Sequence, residues 1–564
     1  MKKKQKFSGK KILFVILACS IPAAWALLSP GFYGASDDIH IAWLYELHET
    51  VRLGQIPPRY VPDLSFGFGY PLFNFVFPFP FYLAEAVHLL GLSLVGSIKF
   101  VFLLSIPVSM ILMYFFLKEF IESRLLALSG AVIYVYAPYR ATEIYVRGAI
   151  GEIVVYMFLP LLALSLLKIA KPNVEAKQII RWVGVGAIAL ASIVLSHNIS
   201  AYMFLPFFAI LALFLFFFLR KKAILAASLL IFVLGALISV YFWLPALYDS
   251  SLMKYDTVFN FWDHFPALKQ LVTPYFGYGA SVPGPYDGMS FFMGQVNIII
   301  VALGTVIALF SWRKLTKIKK SLFVWAFIFF SFSMLMMNHR SLPIWEIVPN
   351  LAYFQFPWRF LTATTFLSPI FLLAFDGLSY KRYIALAAIV FAMLLNFSYF
   401  RPQDFLGRAD DYYLGRYIPY PQVSEDYLTT LEEYLRLPRT AEARPDRVYP
   451  RFFSDKDGIS DILVKDKLNA EATIITSERE TVYYNKYYFP GWRATIDGQE
   501  VDISAGKPFG QIAISVPSGE HHVEVYFRET NFKILIDLIS LTAFGFAVFI
   551  SLKPKALKLS SKFL

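Results

Sequence analysis

The segment Pro30–Pro80, PGFYGASDDIHIAWLYELHETVRLGQIPPRYVPDLSFGFGYPLFNFVFPFP, follows directly after the first hydrophobic run of the chain. An acidic pair, Asp37 and Asp38, stands where the chain leaves that run. Apolar residues then recur at every fourth position, which predicts an amphipathic helix over about 38–53, ended by Gly54. The apolar stripe comprises Ile39, Trp43, Leu47 and Val51 with Leu44 beside it, while Glu46, Glu49 and Arg52 fall off it. An acidic pair beside such a helix suits a substrate that is half lipid and half polar.

The composition around this segment is that of a membrane protein with many spans. Of 564 residues, 57% are hydrophobic and only 16% are charged, and the mean hydropathy is +0.55. Most cations behind the net charge of +12 flank hydrophobic runs, so the positive-inside rule explains them and no nucleic-acid partner is expected. Cys19 is the only cysteine, which excludes an intramolecular disulfide and a cysteine metal cluster.

Hydrophobic runs alternate with basic loops in a pattern that predicts about twelve spans. The first follows six lysines in residues 2–11, and Phe81–Leu90 is placed in the interface because it is short and carries ionisable residues. Counting 78–92 as a span instead would move Arg220–Lys222 and Arg313–Lys320 outside. The protein is therefore expected in the plasma membrane, with both termini in the cytoplasm. The spans after the first are expected at about 98–117, 125–138, 153–168, 182–196, 200–219, 223–246, 296–311, 321–337, 360–377, 383–399 and 531–552.

The expected fold class is a polytopic α-helical membrane protein with a β-rich domain on its outer face and a final span. Residues 1–399 are assigned to the transmembrane domain, 400–530 to the extracytoplasmic domain, and 531–564 to the last span and a basic cytoplasmic tail. The large outer loops of the first domain are expected at residues 30–96, 139–152, 248–295 and 338–359. Asp537 in the last span is interpreted as a carboxylate reaching towards the interface.

Past residue 400 the charge rises and long apolar runs end, which predicts a small β-sandwich. Ser424–Leu437 is predicted as a helix with Ser424 as its N-cap. Strands are predicted at Thr473–Ile475, Thr481–Tyr484, Trp492–Ile496, Gln511–Val516 and His522–Phe527. Asp497-Gly498 and Ser518-Gly519 are predicted hairpin turns. The predicted core comprises Tyr488, Phe489, Trp492, Ile496, Val523, Val525 and Phe527.

Ionisable and aromatic residues concentrate in the outer loops, where one cavity could collect them. A purely structural role remains open for each group. The acidic pair could cap its helix, Arg147 with Glu152 could be a structural ion pair, and His197-Asn198 could merely turn the chain. Likewise His40 could be a polar surface residue, and Trp358, like Trp345, could belong to an aromatic belt.

The order of these loops resembles the GT-C superfamily of integral membrane glycosyltransferases. More narrowly, the chain resembles the bacterial membrane-protein family labelled "6-pyruvoyl-tetrahydropterin synthase-related" and the YfhO-like proteins. The matching motifs are SDDIHIAW (Ser36–Trp43), GQIPPRYVPDLSFGFGYPLFNF (Gly54–Phe75), YVRGAIGE (Tyr145–Glu152), SHN (Ser196–Asn198), FWLPAL (Phe242–Leu247), FQFPWRF (Phe354–Phe360) and YYFPGWRATIDG (Tyr487–Gly498). The resemblance covers almost the whole chain.

The resemblance implies transfer of a sugar from a polyprenyl-phosphate donor to a glycan, lipid or protein acceptor, by an enzyme embedded in membrane lipid. An inverting transfer needs a carboxylate for the acceptor and cations for the departing phosphate. The implied catalytic residues are Asp37, Asp38 and Glu152. The implied substrate-binding residues are His40, Arg59, Arg147, His197, Asn198, Trp358 and Arg359. A divalent ion on the acidic pair stays open, and no other cofactor is expected.

Two functions of other classes compete with this one. A transporter or flippase for a lipid-linked glycan would need polar groups along a path through the bilayer midplane. Most predicted spans are apolar there, and the ionisable residues gather outside, which favours catalysis at the interface. A non-catalytic scaffold whose sandwich binds a cell-envelope polymer is the other alternative.

Overall fold

The computed structural model describes residues 9–254, 260–430, 436–454 and 458–556. Within them, nine helices are long and apolar enough to cross a membrane, and a bent pair, Lys222–Ile238 with Val240–Leu252, meets at 65°. The nine are Lys10–Leu28, Leu94–Lys118, Ile150–Ala170, Ala176–Ser196, Asn198–Leu219, Lys317–Met336, Pro357–Gly377, Lys381–Tyr399 and Asn531–Leu552. The shorter apolar helices Arg124–Val135 and Gln295–Phe310 match the two remaining predicted spans. The predicted multi-span helical architecture is confirmed, whereas the plasma membrane and the sidedness of the termini stay predictions.

Shorter helices make up much of the loop structure. They lie at Trp25–Leu28, His40–Arg52, Leu72–Phe75, Phe79–His88, Pro138–Ala141, Thr142–Arg147, Ser250–Leu252, Leu268–Val272, Trp312–Lys314, His339–Ser341, Leu342–Ile347, Pro349–Phe354, Pro357–Phe360, Asp410–Tyr417, Glu425–Thr430 and Pro554–Ala556. Phe79–His88 has only ten residues, in agreement with the prediction that it does not span. Most of the N-terminal lysines, and the basic tail beyond 556, lie outside the described residues.

Two of the spans form the centre of the bundle. Ile150–Ala170 and Pro357–Gly377 are 83% and 94% buried by the rest of the protein, whereas Lys381–Tyr399 is only 22% buried and so lies at the rim. A helix that is apolar all round is stable only when protein or lipid surrounds it, and these two are surrounded mainly by protein. Both central helices carry a charged residue at one end, Glu152 and Arg359.

The amphipathic helix is observed as His40–Arg52, within the predicted bounds, but its environment differs from the prediction. Glu46, predicted off the apolar stripe, is fully buried, and its Oε2 accepts a hydrogen bond from the backbone of Asp63 at 3.4 Å. The helix is wedged between the spans and the outer domain, so both of its faces are covered. Neither Asp37 nor Asp38 supplies a side-chain cap to it, so the capping interpretation is wrong.

The described residues of the β-rich domain, which we call the outer domain after its predicted side, form nine strands in two antiparallel sheets. They are β1 (Phe452–Phe453), β2 (Ile459–Asp466), β3 (Asn469–Thr476), β4 (Glu480–Tyr487), β5 (Trp492–Ile496), β6 (Gln499–Val501), β7 (Ile503–Ala505), β8 (Gln511–Val516) and β9 (Gly519–Phe527). One sheet has the order β1-β4-β8-β7 and the other β2-β3-β9-β5-β6. The predicted β-rich domain is therefore confirmed, and the alternation of apolar residues in β9 buries Val523 and Val525.

Three details of the outer domain differ from the prediction. Ser518-Gly519 does not close a hairpin, because β8 and β9 belong to different sheets and the connection crosses between them. Tyr488, predicted to be in the core, is 37% exposed and lies outside the observed core. The predicted helix Ser424–Leu437 is observed as Glu425–Thr430, with Ser424 accepting the Tyr427 backbone N–H at 3.0 Å. Residues 431–435 of that prediction lie outside the described chain.

Candidate functional site

The first outer loop is pinned to the turn that precedes the central helix Ile150–Ala170. The backbone N–H of Asp37 donates to the carbonyl of Arg147 at 2.7 Å, and that of Ser36 donates to Val146 at 3.1 Å. The next residue, Gly148, has φ +69°, a conformation that glycine adopts without strain. These bonds set the acidic pair directly beside Arg147.

Glu152 is the centre of the charged cluster at this point. Its Oε1 accepts a hydrogen bond from Arg147 Nη1 at 2.8 Å, and Arg359 Nε lies 3.4 Å from the same oxygen. His197 Nε2 is 3.8 Å from it. Arg147 Nη2 in turn lies 3.8 Å from Asp37 Oδ2. Four separate chain segments therefore converge on one carboxylate and its neighbours.

Close helix packing explains how His197 reaches Glu152. A Cβ atom on Gly151 would come within 2.5 Å of the ring of Phe77 and of the carbonyl of Ser196, so only glycine fits there. The absent side chain lets the start of the central helix approach the junction that carries His197. The interpretation of His197-Asn198 as a simple turn therefore covers only Asn198, which is exposed and donates to the Phe75 carbonyl at 3.4 Å.

Both histidines of the cluster are buried and held in defined tautomers. His197 Nδ1 accepts the Ser200 backbone N–H at 3.2 Å, which places its proton on Nε2, towards Glu152. Burial lowers the pKa of His197 to about 3. His40 Nδ1 donates to the Gly148 carbonyl at 3.2 Å, and burial lowers the pKa of His40 as well. Both imidazoles are therefore neutral at neutral pH, and His40 is no surface residue.

Aromatic rings orient the two arginines. The guanidinium carbon of Arg147 lies 5.0 Å from the centroid of Trp358, and that of Arg359 lies 5.3 Å from Phe356. Trp358 is buried and donates to Ser281 at 3.2 Å, so it is not an aromatic-belt residue, and Trp345 is buried too. Burial lowers the pKa of Arg147, but the Glu152 carboxylate and the other acidic groups nearby together outweigh burial, and the net pKa is raised. Arg147 therefore stays charged.

The two acids of the pair have different environments. The Asp37 side chain is 38% exposed and faces Arg147. Asp38 is buried, and its Oδ1 accepts a hydrogen bond from the hydroxyl of Tyr417, which belongs to the outer domain. Burial raises the pKa of Asp38, and the Tyr417 bond partly offsets that rise. Only Asp37 is open to a substrate.

Arg59 is not part of this cluster, although the resemblance implied it as a substrate-binding residue. Its Nη1 and Nη2 donate to the two carboxylate oxygens of Asp537 at 3.0 and 2.6 Å, and Nη2 also donates to the Tyr241 carbonyl. In this bidentate pair both terminal nitrogens of the Arg59 guanidinium are already bound to Asp537. Asp537 is therefore the ion-pair partner of the buried Arg59, and its interpretation as a carboxylate reaching towards the interface is wrong.

The sequence analysis missed several residues at the site. Glu143 is fully buried, next to Glu152, and Thr362 Oγ1 lies 3.5 Å from its Oε1. Gln355 Oε1 accepts from Arg359 Nη1 at 2.8 Å. The sequence does contain a signal for Glu143, because it is an acid in a largely apolar run between Arg140 and Arg147. In the structure this run forms a π-helix.

No group of three or more His, Cys, Asp or Glu side chains that could hold a metal ion occurs in the part of the chain that the structure describes. The candidate site consists of two arginines around a buried carboxylate, with one half-exposed acid at its edge.

The sequence matches no protein-family model and no curated protein, so membership of the pterin-synthase-related or YfhO-like families stays a prediction. Two solved structures are similar at 15% identity. The arabinofuranosyltransferase AftD from mycobacteria has a TM-score of 0.44, over 70% of this chain and 27% of that chain. The oligosaccharyltransferase AglB from Archaeoglobus fulgidus, in complex with an inhibitory peptide and a dolichol-phosphate, has a TM-score of 0.41, over 74% and 60%.

This chain thus spans about a quarter of the length of AftD and three fifths of that of AglB. Both TM-scores are below 0.5, so the function of this chain has to be argued from its own residues. Those residues define a multi-span membrane protein with a charged, aromatic-lined cluster where its two central helices meet the first outer loop.

Proposed function

We propose that the protein is a membrane glycosyltransferase that moves a sugar from a polyprenyl-phosphate donor to a glycan, lipid or protein acceptor on the outer face of the plasma membrane. The observation that supports this most directly is the convergence of Asp37, Arg147 and Arg359 on the ends of the central helices. A half-exposed carboxylate next to two buried guanidinium groups supplies a proton acceptor and a phosphate site within one cluster.

In the proposed reaction, Asp37 accepts the proton of the acceptor hydroxyl as the acceptor oxygen forms a bond to the anomeric carbon of the donor sugar. The bond between that carbon and the phosphate oxygen breaks from the opposite side, and its electron pair stays on the phosphate, so the configuration inverts. Asp37 is chosen over Asp38 because Asp38 is buried and already bonded to Tyr417.

Arg147 and Arg359 are assigned to the phosphate, where negative charge grows as the sugar leaves. A guanidinium has five N–H donors, and Glu152 takes one of those of Arg147. We assign Glu152 a positioning role, because its oxygen lies between the two arginines and it is 2% exposed. His40, His197 and Trp358 line the cluster and exclude water, which strengthens these charge interactions. No proposed step passes through a metal ion, and metal dependence is left to experiment.

The test is sugar transfer by the purified protein in lipid nanodiscs, with a panel of radiolabelled polyprenyl-phosphate sugars. Asp37→Asn should lose about 10²–10⁴ in rate, the usual effect of removing a general base. Asp38→Asn should lose much less. Asp404→Asn, an exposed acid on the outer side, is the matched control and should behave as the wild type.

Three outcomes would contradict the assignment. Transfer at the parent rate by Asp37→Asn would show that this acid is not the base. Flipping of a labelled lipid-linked glycan between leaflets without transfer would favour the transporter alternative, and polymer binding by the outer domain without either activity would favour the scaffold.

A further inference from the structure

The site contains a buried acid that the proposed reaction does not use. Glu143 is fully buried in the turn Thr142–Arg147, one turn ahead of the central helix that carries Glu152. The carboxyl groups of Glu143 and Glu152 lie close enough to each other to share a hydrogen bond, and Glu143 Oε2 is buried with no other partner. Two carboxyl groups can share a hydrogen bond only when one of them carries a proton, because ionised carboxylates have no donor.

The contacts of the two acids decide which one carries it. Glu152 Oε1 faces Arg147, Arg359 and His197, all of which favour a negative charge on Glu152. Glu143 accepts only from Thr362 in the described part of the chain, and its Oε2 has no nitrogen or oxygen donor there. The proton therefore belongs on Glu143.

The groups around Glu143 act on its protonation in opposite directions. Burial raises the pKa of Glu143 well above its usual value, and the charge of Glu152 adds to that rise. Arg140 and Arg147 oppose the rise, but Arg140 stacks on Tyr156 at 4.3 Å and donates to Ser109 rather than to an acid. Tyr134, Tyr139 and Tyr156 also lie near Glu143. Arg359 and His197 act on its neighbour Glu152, Asp37 acts on Arg147, and His40 acts on His197.

We propose that Glu143 is a positioning residue for the phosphate subsite, and that it keeps a proton and donates it to Glu152. The neutral Glu143 leaves Glu152 as the one buried negative charge between Arg147 and Arg359, with the half-exposed Asp37 beside Arg147 at the edge of the cluster. Two positive charges then face one buried negative charge, and the pair of arginines keeps its attraction for a phosphate. An ionised Glu143 would cancel that attraction. The role rests on the proposed function, since the ligand is the phosphate of a polyprenyl lipid.

The experiment compares wild type, Glu143→Gln and Glu143→Met in lipid nanodiscs. Glutamine is neutral and keeps a donor for Glu152, whereas methionine has similar length and no donor. Binding of polyprenyl monophosphate should be within about twofold of wild type for the glutamine variant and at least about tenfold weaker for the methionine variant, because a hydrogen bond to a charged group is lost. Glu46→Gln, a buried acid outside the cluster, is the matched control and should bind as the wild type.

A spectroscopic measurement tests the proton itself. The infrared difference spectrum of wild type minus Glu143→Gln at neutral pH should contain the C=O stretch of a protonated carboxylic acid. Absence of that band overturns the proposal, and so does equal binding by the glutamine and methionine variants. Failure of wild type to bind polyprenyl monophosphate would refute the proposed function, while the infrared band would still decide whether Glu143 holds the proton. Should the methionine variant not insert, Glu143→Leu replaces it.

Discussion

The hydroxyl of Tyr417 is the contact by which the outer domain reaches the acidic pair, and its removal is the sharpest test of that connection. Tyr417 ends the short helix Asp410–Tyr417 and donates to Asp38, and both side chains are buried. Tyr417→Phe deletes the donor and leaves the ring in place. Asp38 then stays buried without that hydrogen bond.

The size of the effect depends on the charge of Asp38. A hydrogen bond to a charged group contributes about 1.5–3 kcal/mol and a neutral one about 0.5–1.5 kcal/mol. Burial raises the pKa of Asp38 and the Tyr417 bond lowers it, so the substitution raises that pKa further. An acid whose pKa is raised by folding contributes stability at low pH and loses it as the pH rises through the folded pKa. The deficit of Tyr417→Phe should therefore be about 2 kcal/mol at neutral pH and shrink as Asp38 becomes protonated.

The measurement is the free energy of unfolding in detergent micelles, by denaturant titration at neutral pH and at about pH 4. Tyr412→Phe, on the same short helix, removes a hydroxyl that does not bond Asp38 and should change little. In an Asp38→Asn background the deficit of Tyr417→Phe should fall to that of a neutral bond. An equal deficit at both pH values and in both backgrounds would refute the reasoning.

Three further outcomes are expected. In a background with Cys19 replaced, an impermeant thiol reagent added outside should label Ser518→Cys in the outer domain and leave Lys314→Cys unlabelled; the reverse pattern would invert the topology. Asp537→Asn should destabilise the protein by about 1.5–3 kcal/mol, because it leaves the buried Arg59 with only Glu529, at 3.6 Å, as an anionic partner. Arg59→Met combined with Asp537→Leu should restore most of that stability and keep sugar transfer; loss of donor binding in the double variant would return Arg59 to the substrate-binding residues. Tyr60→Ala should lower the free energy of unfolding of the outer domain by about 3–5 kcal/mol, because the Tyr60 ring packs against that domain. For the same reason, residues 400–530 expressed alone should unfold more easily than the same domain fused to 54–75, and equal stability of the two would contradict this packing role.

The spans and most strands could be predicted because their signals are local. A run of apolar residues or an alternation such as that of β9 is visible within one element. The wrong assignments concern partners that lie far away in sequence. Ser518-Gly519 has the composition of a hairpin turn, but β8 and β9 cannot pair because other strands occupy both edges of each: β4 and β7 flank β8, and β3 and β5 flank β9.

The candidate site was predicted in part for the same reason. Arg147 and Glu152 stand five residues apart, so their pairing was foreseeable, whereas Arg59 could be matched to Asp537 only in three dimensions, across 478 residues. Glu143 was overlooked because an acid near two arginines looks satisfied in sequence. In the structure Arg140 turns to Ser109 and two tyrosine rings instead.

The first outer loop contacts three parts of the protein: the central helices, the last span and the sandwich. These contacts explain why the loop is rich in both charged and aromatic residues. Its acidic pair faces the central helices, and Arg59 ties it to the last span. The ring of Tyr60 packs against Phe489, Trp492 and Phe527 of the sandwich, at centroid distances of 6.4, 5.4 and 5.4 Å.

The buried ammonium of Lys486 in β4 is held by the same loop, because it donates to the carbonyls of Pro62 and Gly67 at 2.8 and 2.6 Å. Burial lowers the pKa of Lys486 well below its usual value, and these backbone oxygens are its hydrogen-bond acceptors. A displacement of the sandwich would break these bonds and the Tyr417 contact together. The outer domain is therefore part of the framework that sets the position of Asp37, rather than an appendage that only meets the acceptor.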